Sequence, residues 1–293
     1  MLENTSRITR RAMQLKIAAI SLAEDMRTGN FKSLYRGNGI EFMDVREYLP
    51  GDNVRAIDWN VTARMGRPFI KQYNEDKELA VFFVLDRSLS MLGGSQKNSK
   101  IQIASETAAL ILLASEHNAG ANGAVFFDGD IQFACPPKAG RDTAMTILSH
   151  LDDYDVIEKK GSALGNALEG AAKMLRRKSL VFILSDFRAV GWEQPLARLA
   201  QKNDVIAIKI TDPMDSELPD MGTLPFYDAE TGKISVFPTS SKEFKTAWFE
   251  HNRNKNDYMK IFCQKHGVIP LTISTVEDPI LVLSQFFSKI SKN

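Results

Sequence analysis

The chain has 293 residues, 44% of them hydrophobic and 25% charged, a composition typical of a globular protein with one large core or two smaller ones. Lys and Arg (37) almost balance Asp and Glu (36), and the formal net charge of +1 excludes a global field that would draw the protein onto nucleic acid or an anionic membrane. The two cysteines, Cys135 and Cys263, stand far apart in no paired motif, which argues against a secreted disulfide framework and for reduced thiols in the cytoplasm.

Residues 6–28 are predicted to form an amphipathic helix, because apolar side chains recur along them at helical spacing with charges in between. A Gly-Asn pair then ends the helix. The apolar run 17–23 follows three arginines, as in a signal peptide, but Glu24-Asp25 stands where a cleavage site needs small residues. No uninterrupted apolar stretch approaches the roughly 20 residues that a membrane helix needs. We therefore expect a cytoplasmic protein without direct membrane insertion.

Residues 29–78 differ in character, with scattered glycines, many arginines and aromatics, and little helical periodicity. Pro50-Gly51-Asp52 predicts a tight turn, because Pro presets the first central dihedral angle and Gly accepts the positive φ of the second. Short strands or irregular structure are expected on either side of this turn. Together with the amino-terminal helix, the segment forms the first predicted unit, residues 1–78.

From residue 79 to residue 293 the pattern alternates strands with helices. Short apolar runs indicate strands, the first three buried on both faces, at 79–85, 180–184, 205–210 and 269–273. Hairpins are expected at 123–134, around Asp128-Gly129, and within 218–238. Helices are predicted at 101–117, 141–151, 164–177, 193–201, 242–266 and 279–290. Such alternation predicts the α/β class: a doubly wound, mostly parallel sheet flanked by helices, with the first unit as an amino-terminal helical and β extension.

Polar side chains follow the buried strands at their carboxyl ends. Asp86, Ser88 and Ser90 come after the first apolar strand, and Asp186 comes after the second. Ser162 lies in a loop ahead of a predicted helix. Ligands of open α/β sheets bind at this edge, near the point where the strand order reverses. We therefore expect three loops that are distant in sequence to bring two carboxylates and several hydroxyls together.

This set of oxygens suits a small, hard cation, which we predict to be Mg²⁺ (or Mn²⁺). Mg²⁺ takes an octahedron of oxygen ligands and typically keeps waters while using few carboxylates. The alternation in Asp-x-Ser-x-Ser lets the three side chains of one turn point to the same side. Because neutral hydroxyls leave much of the metal's charge unquenched, an acidic side chain from a partner protein can bind to it.

Three segments carry these residues: Asp86-Arg87-Ser88-Leu89-Ser90, Gly161-Ser162-Ala163-Leu164-Gly165 and Leu184-Ser185-Asp186. Together they resemble the metal-ion-dependent adhesion site (MIDAS) of von Willebrand factor type A domains, a family with a Rossmann-like sheet that places a Thr where this chain has Ser162. The resemblance implies that residues 79–293 form such a domain. It also implies that Ser88 and Ser90 bind the metal directly. Ser162, Asp86 and Asp186 would bind it directly or through water.

A second set of motifs comprises Arg36-Gly37-Asn38-Gly39-Ile40-Glu41-Phe42, Asp44-Val45-Arg46-Glu47-Tyr48, Pro50-Gly51-Asp52, Arg55, Ile57-Asp58-Trp59 and Ala63-Arg64. These residues resemble the hallmark block of the family called domain of unknown function fifty-eight, whose members carry it just ahead of a type A domain. The likeness runs from about residue 30 to the carboxyl terminus. Members are commonly encoded beside MoxR-type AAA ATPases, which implies such an ATPase as partner and a role in assembling or activating another complex.

The block from Arg36 to Arg64 has two interpretations. Its arginines and aromatics could contact a partner or a polynucleotide. Acidic residues alternate with the arginines, however, so internal ion pairs and a structural strut beside the domain are the expected arrangement. Arg46 and Arg64 are the candidates for partner binding if the block does bind, and no nucleic-acid binding is expected.

Alternatives to a metal-dependent binding module remain open at this stage. Asp86 alone could cap a turn, although three loops in the right order favour a metal site. A metal-dependent phosphatase or hydrolase could use Asp86 as nucleophile, but phosphatases of the haloacid dehalogenase kind need a second Asp where this chain has Ser88. The serines have no nearby histidine, and the chain has no phosphate-binding Gly-x-x-x-x-Gly-Lys loop. A scaffold with a vestigial site is the third possibility. We predict a non-catalytic, divalent-metal-dependent adaptor.

Overall fold

A computed structural model describes residues 19–23, 36–76, 80–95, 97–152, 163–227 and 233–290. Residues 19–23 are helical, as predicted, and the rest of the helix predicted over 6–28 lies outside the described residues. Ala19, Leu22 and Ala23 are buried in the core, and the Ala23 carbonyl accepts a hydrogen bond from the Asn118 amide at 3.0 Å. The predicted boundary between residues 78 and 79 also lies outside the described residues, so the division into two units stays a prediction.

A separate two-stranded antiparallel sheet follows, formed by β1 (Arg36–Glu47) and β2 (Phe69–Asp76). The tight turn predicted after β1 is present. The Asp52 N–H donates to the Leu49 carbonyl at 3.0 Å, and Gly51 between them has a φ of 107°, which an L side chain rarely adopts.

Helix α1 (Trp59–Met65), which joins the two strands after a short 3₁₀ turn, was not predicted. The Asp58 carboxylate caps its first turn by accepting hydrogen bonds from two backbone N–H groups, and Gly66 ends it with a φ of 68°. The helix has seven residues and buries none of them, so it has no apolar stripe that a periodicity search would detect.

The larger sheet has six strands in the order β10-β7-β6-β3-β4-β5. All neighbours are parallel except β5, which pairs antiparallel with β4 at the edge. These strands are β3 (Ala80–Asp86), β4 (Ala121–Phe127), β5 (Ile131–Lys138), β6 (Leu180–Ser185), β7 (Asp204–Thr211) and β10 (Ile269–Ser274). A hairpin of β8 (Thr223–Tyr227) and β9 (Ile234–Pro238) stands apart from them.

The helices are α2 (Lys100–His117), α3 (Arg141–Asp152), α4 (Leu164–Met174), α5 (Glu193–Ala200), α6 (Pro213–Ser216), α7 (Lys242–Lys265) and α8 (Pro279–Ile290). Most begin and end within one residue of the predicted bounds. The helix predicted over 164–177 is shorter, because Leu175 takes an extended conformation. Among the described helices, none combines the length and the hydrophobicity needed to span a bilayer.

Both faces of the six-stranded sheet are covered. On one face of β3, Val81, Phe83 and Leu85 pack against α2, α3 and α8. On the other face, Phe82 and Val84 pack against α4, α5 and α7. Every residue of β3 is buried, which explains its uninterrupted apolar sequence. The predicted α/β class, with a mostly parallel sheet between two layers of helices, is confirmed.

The strand order reverses between β3 and β6, because the chain goes first to β4 and β5 on one side of β3 and then crosses to β6, β7 and β10 on the other. Leu85 of β3 pairs with Leu184 of β6, so both strands end at the same edge. Connections leave this point on opposite faces of a doubly wound sheet and open a crevice there. This topology predicts a crevice where Asp86 ends β3 and Asp186 follows β6.

Gly123 of β4 sits where the backbone of β5 approaches closely. A Cβ atom at this position would lie 2.7 Å from the Pro137 nitrogen and 2.8 Å from the Cys135 carbonyl oxygen. Both are backbone atoms, and the ladder of β4 and β5 already changes register between Asn122 and Ala124. Only a glycine fits this approach without displacing the edge strand.

We expect Gly123→Ala to lower the free energy of unfolding by about 1–3 kcal/mol, because the added methyl group forces the β5 backbone away. Gly170→Ala in α4 is the matched control, since a Cβ there meets nothing within 4 Å. That control should be neutral or stabilising by up to about 1 kcal/mol, the difference in helix propensity between the two residues. Urea unfolding of both variants measures the difference, and equal stability of the two would contradict the close approach.

Candidate metal centre at the carboxyl edge of the sheet

Asp86, the last residue of β3, is buried and held by two hydrogen bonds, one from the loop after β3 and one from the end of β6. Its Oδ1 accepts the Ser88 N–H at 2.9 Å, and its Oδ2 accepts the Ser185 hydroxyl at 2.6 Å. Ser185 is the last residue of β6, so the bond joins the ends of β3 and β6, the two strands between which the strand order reverses. The carboxylate is thereby fixed at the crevice that the strand order opens.

Ser88 and Ser90 lie together, as the Asp-x-Ser-x-Ser spacing predicts. Their Oγ atoms are 3.1 Å apart, in a loop that makes one 3₁₀ turn. Arg87, between Asp86 and Ser88, points away from the site, since its guanidinium donates to the His150 carbonyl and lies 4.5 Å from the centre of the Phe126 ring. The two hydroxyls and the Asp86 carboxylate therefore form one cluster of oxygens.

Asp186 lies at the same edge but is already engaged. Its Oδ1 accepts the Arg188 N–H at 3.2 Å, and its Oδ2 lies 3.3 Å from the ammonium of Lys100. The Lys100 and Asp186 side chains are both almost fully buried, so this ion pair is part of the interior. Lys100 was not predicted as a site residue. It is the first residue of α2, 86 positions before its partner, and no local pattern marks it.

Ser162 lies outside the described residues, and its role as a ligand stays a prediction. The next residue, Ala163, is buried, and its N–H donates to the Asp128 carbonyl at 2.8 Å. Asp128 directly follows β4, on the other side of β3 from β6. The end of the Ser162 loop is therefore anchored at the carboxyl edge of the sheet.

The electrostatics of Asp86 favour a nearby positive charge. The pKa of the Asp86 carboxyl is raised to about 7, first by burial and then by the negative charge of Asp186, against the opposing effect of the hydrogen bonds from Ser185 and Ser88. Within the described part of the chain, no Lys or Arg forms an ion pair with Asp86. A cation bound here would offset the desolvation of this carboxylate.

The donors at this edge fit a hard cation. Of the residues that the structure describes, no three His, Cys, Asp or Glu side chains form a group that could hold a metal ion. A cation beside Asp86 would therefore be held mainly by hydroxyls, water and one or two carboxylates, a set that Mg²⁺ and Mn²⁺ accept. The same set does not suit Zn²⁺, which prefers His and Cys ligands.

Phe187 follows Asp186 in a strained backbone conformation, with a φ of 54°. Such a conformation costs a residue with a side chain about 1–3 kcal/mol and persists where the surroundings enforce it. The Ser185 hydroxyl accepts the Phe187 N–H at 3.0 Å, and the Phe187 ring packs edge-on against Trp192 at 5.4 Å between centroids. Ser185 thus ties both the strained residue and Asp86 in place, although the sequence analysis did not name it as a site residue.

A model of the family described as protein of unknown function DUF58 matches residues 44–258. The chain belongs to the DUF58 family. Similar to it are uncharacterized proteins of Mycobacterium tuberculosis (strain ATCC 25618 / H37Rv) and Mycobacterium bovis, each 32% identical over 229 residues that cover 76% of this chain and 72% of the relative. An uncharacterized protein of Mycobacterium avium is 28% identical over 151 residues, which cover 50% of this chain and 82% of that protein.

Two solved structures resemble this DUF58 chain at low sequence identity. One is an aerotolerance-related membrane protein of Bacteroides fragilis NCTC 9343, with a TM-score of 0.47, 16% identity, and coverage of 73% of this chain and 100% of that one. The other is the VWA domain of SpRpn10, with a TM-score of 0.38, 16% identity, and coverage of 71% and 92%. These scores are low, so the α/β class rests on the sheet order and the two-sided core described above.

In the hallmark block of this DUF58 protein, Arg46 forms the kind of internal ion pair that was expected. Its guanidinium donates to both carboxylate oxygens of Asp52, at 2.7 and 2.8 Å, and the Leu49 N–H also donates to Asp52. These bonds raise the pKa of Arg46 and lower the pKa of Asp52. Arg64 is exposed in the last turn of α1. A partner-binding role for either arginine stays a prediction.

The pKa of Asp86 leads to a pH dependence of stability in the metal-free DUF58 protein. The folded-state pKa of about 7 lies above the ordinary value of about 4 expected in the unfolded chain. The protonated group stabilises the fold at low pH, and that contribution is lost as the pH rises through 7. We expect the thermal midpoint of the wild type to fall relative to that of Asp86→Asn between pH 5 and 8, roughly the range of this titration. Parallel curves for the two proteins, measured in EDTA, would rule this out.

Proposed function

We propose that this protein is a non-catalytic module that binds another protein through a divalent cation, Mg²⁺ or Mn²⁺. Asp86, Ser88 and Ser90 would hold the cation, which supplies a positive charge for an acidic side chain of the partner. One observation carries the proposal. The buried Asp86 carboxylate has no ion-pair partner among the described residues, and it lies beside the hydroxyl pair of Ser88 and Ser90.

Asp186 and Ser162 complete the proposed set of ligands. For Asp186 we propose contact through a water molecule, because its two oxygens already accept hydrogen bonds from Lys100 and from the Arg188 backbone. Each carboxylate oxygen has two lone pairs, so a metal-bound water can still donate to it. Ser162 precedes an anchored residue, Ala163, and its hydroxyl replaces the Thr of the family pattern.

The rival function is a metal-dependent phosphatase or hydrolase with Asp86 as nucleophile. Lys100 does bring a lysine to this edge, which such a phosphatase would need, but its ammonium pairs with Asp186 and Asp215. Ser88 stands where the general acid would be required, and a hydroxyl is too weak an acid for that role. Turnover of a generic phosphoester by the purified protein, lost in Asp86→Asn, would favour the rival.

The partner is proposed from the family to which the chain belongs. Members of the family are commonly encoded beside MoxR-type AAA ATPases, and we propose such an ATPase as partner, in the cytoplasm. The chain has no phosphate-binding Gly-x-x-x-x-Gly-Lys loop, so ATP hydrolysis would be the partner's activity. The adaptor would couple that activity to the assembly or activation of another protein complex.

Metal binding is the first test. We expect isothermal titration with Mn²⁺ or Mg²⁺ to show one site in the wild type and none in Asp86→Ala, because the variant loses the buried carboxylate that is proposed to hold the metal. Asp204→Ala is the matched control. Asp204 begins β7 at the opposite end of the sheet and pairs with Lys178 at 2.9 Å, so its removal should leave metal binding unchanged.

A second variant tests metal binding independently, in case Asp86→Ala does not fold. Ser88→Ala with Ser90→Ala removes two hydroxyls and adds no charge, and it should weaken Mn²⁺ binding while circular dichroism stays as in the wild type. Wild-type protein that binds neither ion would point instead to a vestigial site. Equal affinity of Asp86→Ala and wild type would remove the proposed centre.

Partner binding is the second test. The immobilised wild-type protein should retain a MoxR-type AAA ATPase of the same organism when Mg²⁺ is present and release it in EDTA, because the metal would bridge the two proteins. Asp86→Ala should not retain the ATPase in either condition, and Asp204→Ala should behave as the wild type. Retention of the ATPase that is equal with and without EDTA would exclude the metal bridge.

A further inference from the structure

Lys100 is a buried cation in an electrostatically unfavourable position. Its side chain is 4% exposed, and it occupies the first position of α2, where the partial positive charge of the helix dipole disfavours a cation. A buried ammonium also loses its hydration, which is unfavourable unless close partners offset it. The neighbouring carboxylates must therefore hold Lys100 here.

Two carboxylates do so, each at the end of a neighbouring strand. The ammonium lies 3.3 Å from Asp186, after β6, and 3.1 Å from Asp215, in α6 after β7. Asp215 is itself fixed, because it accepts the Asp212 N–H at 2.9 Å and caps its own short helix. Lys100 is thus clamped between two rigid acceptors.

The charges at this edge are matched in pairs. Arg188 reaches Asp215 at 2.6 Å and lies 3.6 Å from Asp186, so two cations face these two carboxylates. Lys209 is also close enough to interact with both carboxylates, but its ammonium donates to Asn256. Of Asp86, Asp186 and Asp215, Asp86 is the one that has no ion pair within the described part of the chain.

We infer that Lys100 is an internal counter-ion that keeps Asp186 from binding the metal directly, and that it thereby sets the affinity of the site for metal. This inference rests on the proposed function. With Lys100 in place, the metal meets one uncompensated carboxylate, keeps more of its charge, and is a better acceptor for an acidic side chain of the partner. Without Lys100, Asp186 is free to become a second anionic ligand.

The test measures Mn²⁺ affinity by isothermal titration in the full chain. Lys100→Met should bind Mn²⁺ on the order of tenfold more tightly than the wild type, because one positive charge near the ion is removed. Asp186→Asn should bind it more weakly, since Lys100 is then less compensated. The double variant should return to within roughly threefold of the wild type, because the two changes cancel in net charge.

Two controls separate the charge of Lys100 from its packing. Lys100→Arg keeps the charge and should keep the wild-type Mn²⁺ affinity. Lys178→Met removes a lysine from a surface pair with Asp204, at the opposite end of the sheet, and should also leave the affinity unchanged. An affinity of Lys100→Met equal to or below that of the wild type, or a gain that persists in the double variant, overturns the inference.

Thermal unfolding in EDTA gives a readout that does not require metal. The cycle of Lys100→Met, Asp186→Asn and the double variant should show coupling between the two residues, with the double variant losing less stability than the sum of the two single losses. No coupling overturns the inference whether or not metal binds. If the coupling is present but no protein in the series binds Mn²⁺, the proposed function is wrong, and the inference that Lys100 sets the metal affinity is then wrong as well. If wild type binds Mn²⁺ and Lys100→Met shows no gain, only the inference is wrong.

Discussion

Two carboxylates that are buried at the ends of neighbouring strands are the constraint on which the site depends. Asp86 and Asp186 are both buried where the strand order reverses between β3 and β6. There the loss of hydration and the repulsion between the two carboxylates raise the free energy of their charged forms. Asp186 is compensated by Lys100, whereas Asp86 has hydrogen bonds from Ser88 and Ser185 but no ion pair among the described residues. This asymmetry makes the surroundings of Asp86 favourable for a further positive charge.

The fold produces the asymmetry through topology. Apolar strands buried on both faces must end before a charged side chain can be hydrated or paired, and the parallel order brings the ends of β3, β6 and β7 to one edge. Each strand delivers a carboxylate there or in the turn that follows. The strained Phe187, packed against Trp192, keeps the loop after β6 in the conformation that places Asp186 beside Lys100. Packing on one face of the sheet therefore maintains the charge arrangement at its edge.

The sequence predicted those parts that depend on local pattern. Continuous apolar runs marked the buried strands, and the Asp-x-Ser-x-Ser spacing placed Ser88 and Ser90 together, 3.1 Å apart between their hydroxyl oxygens. Lys100 was missed, because a lysine behind the capping residue Ser99 has the pattern of a solvated helix start. Its burial is decided by Asp186 and Asp215, which are contributed from far along the chain. Helix α1 was missed for a different reason, since it buries no side chain and has no apolar stripe.

The most direct test of the site is the position of a metal ion in crystals of the wild-type protein grown with Mn²⁺. Anomalous differences recorded at the manganese edge should show a peak within coordination distance of the Asp86 carboxylate and the Ser88 and Ser90 hydroxyls, with Asp186 still paired with Lys100. Crystals that contain Mn²⁺ but show no peak at this edge, or a peak at a different set of residues, would contradict the proposed centre.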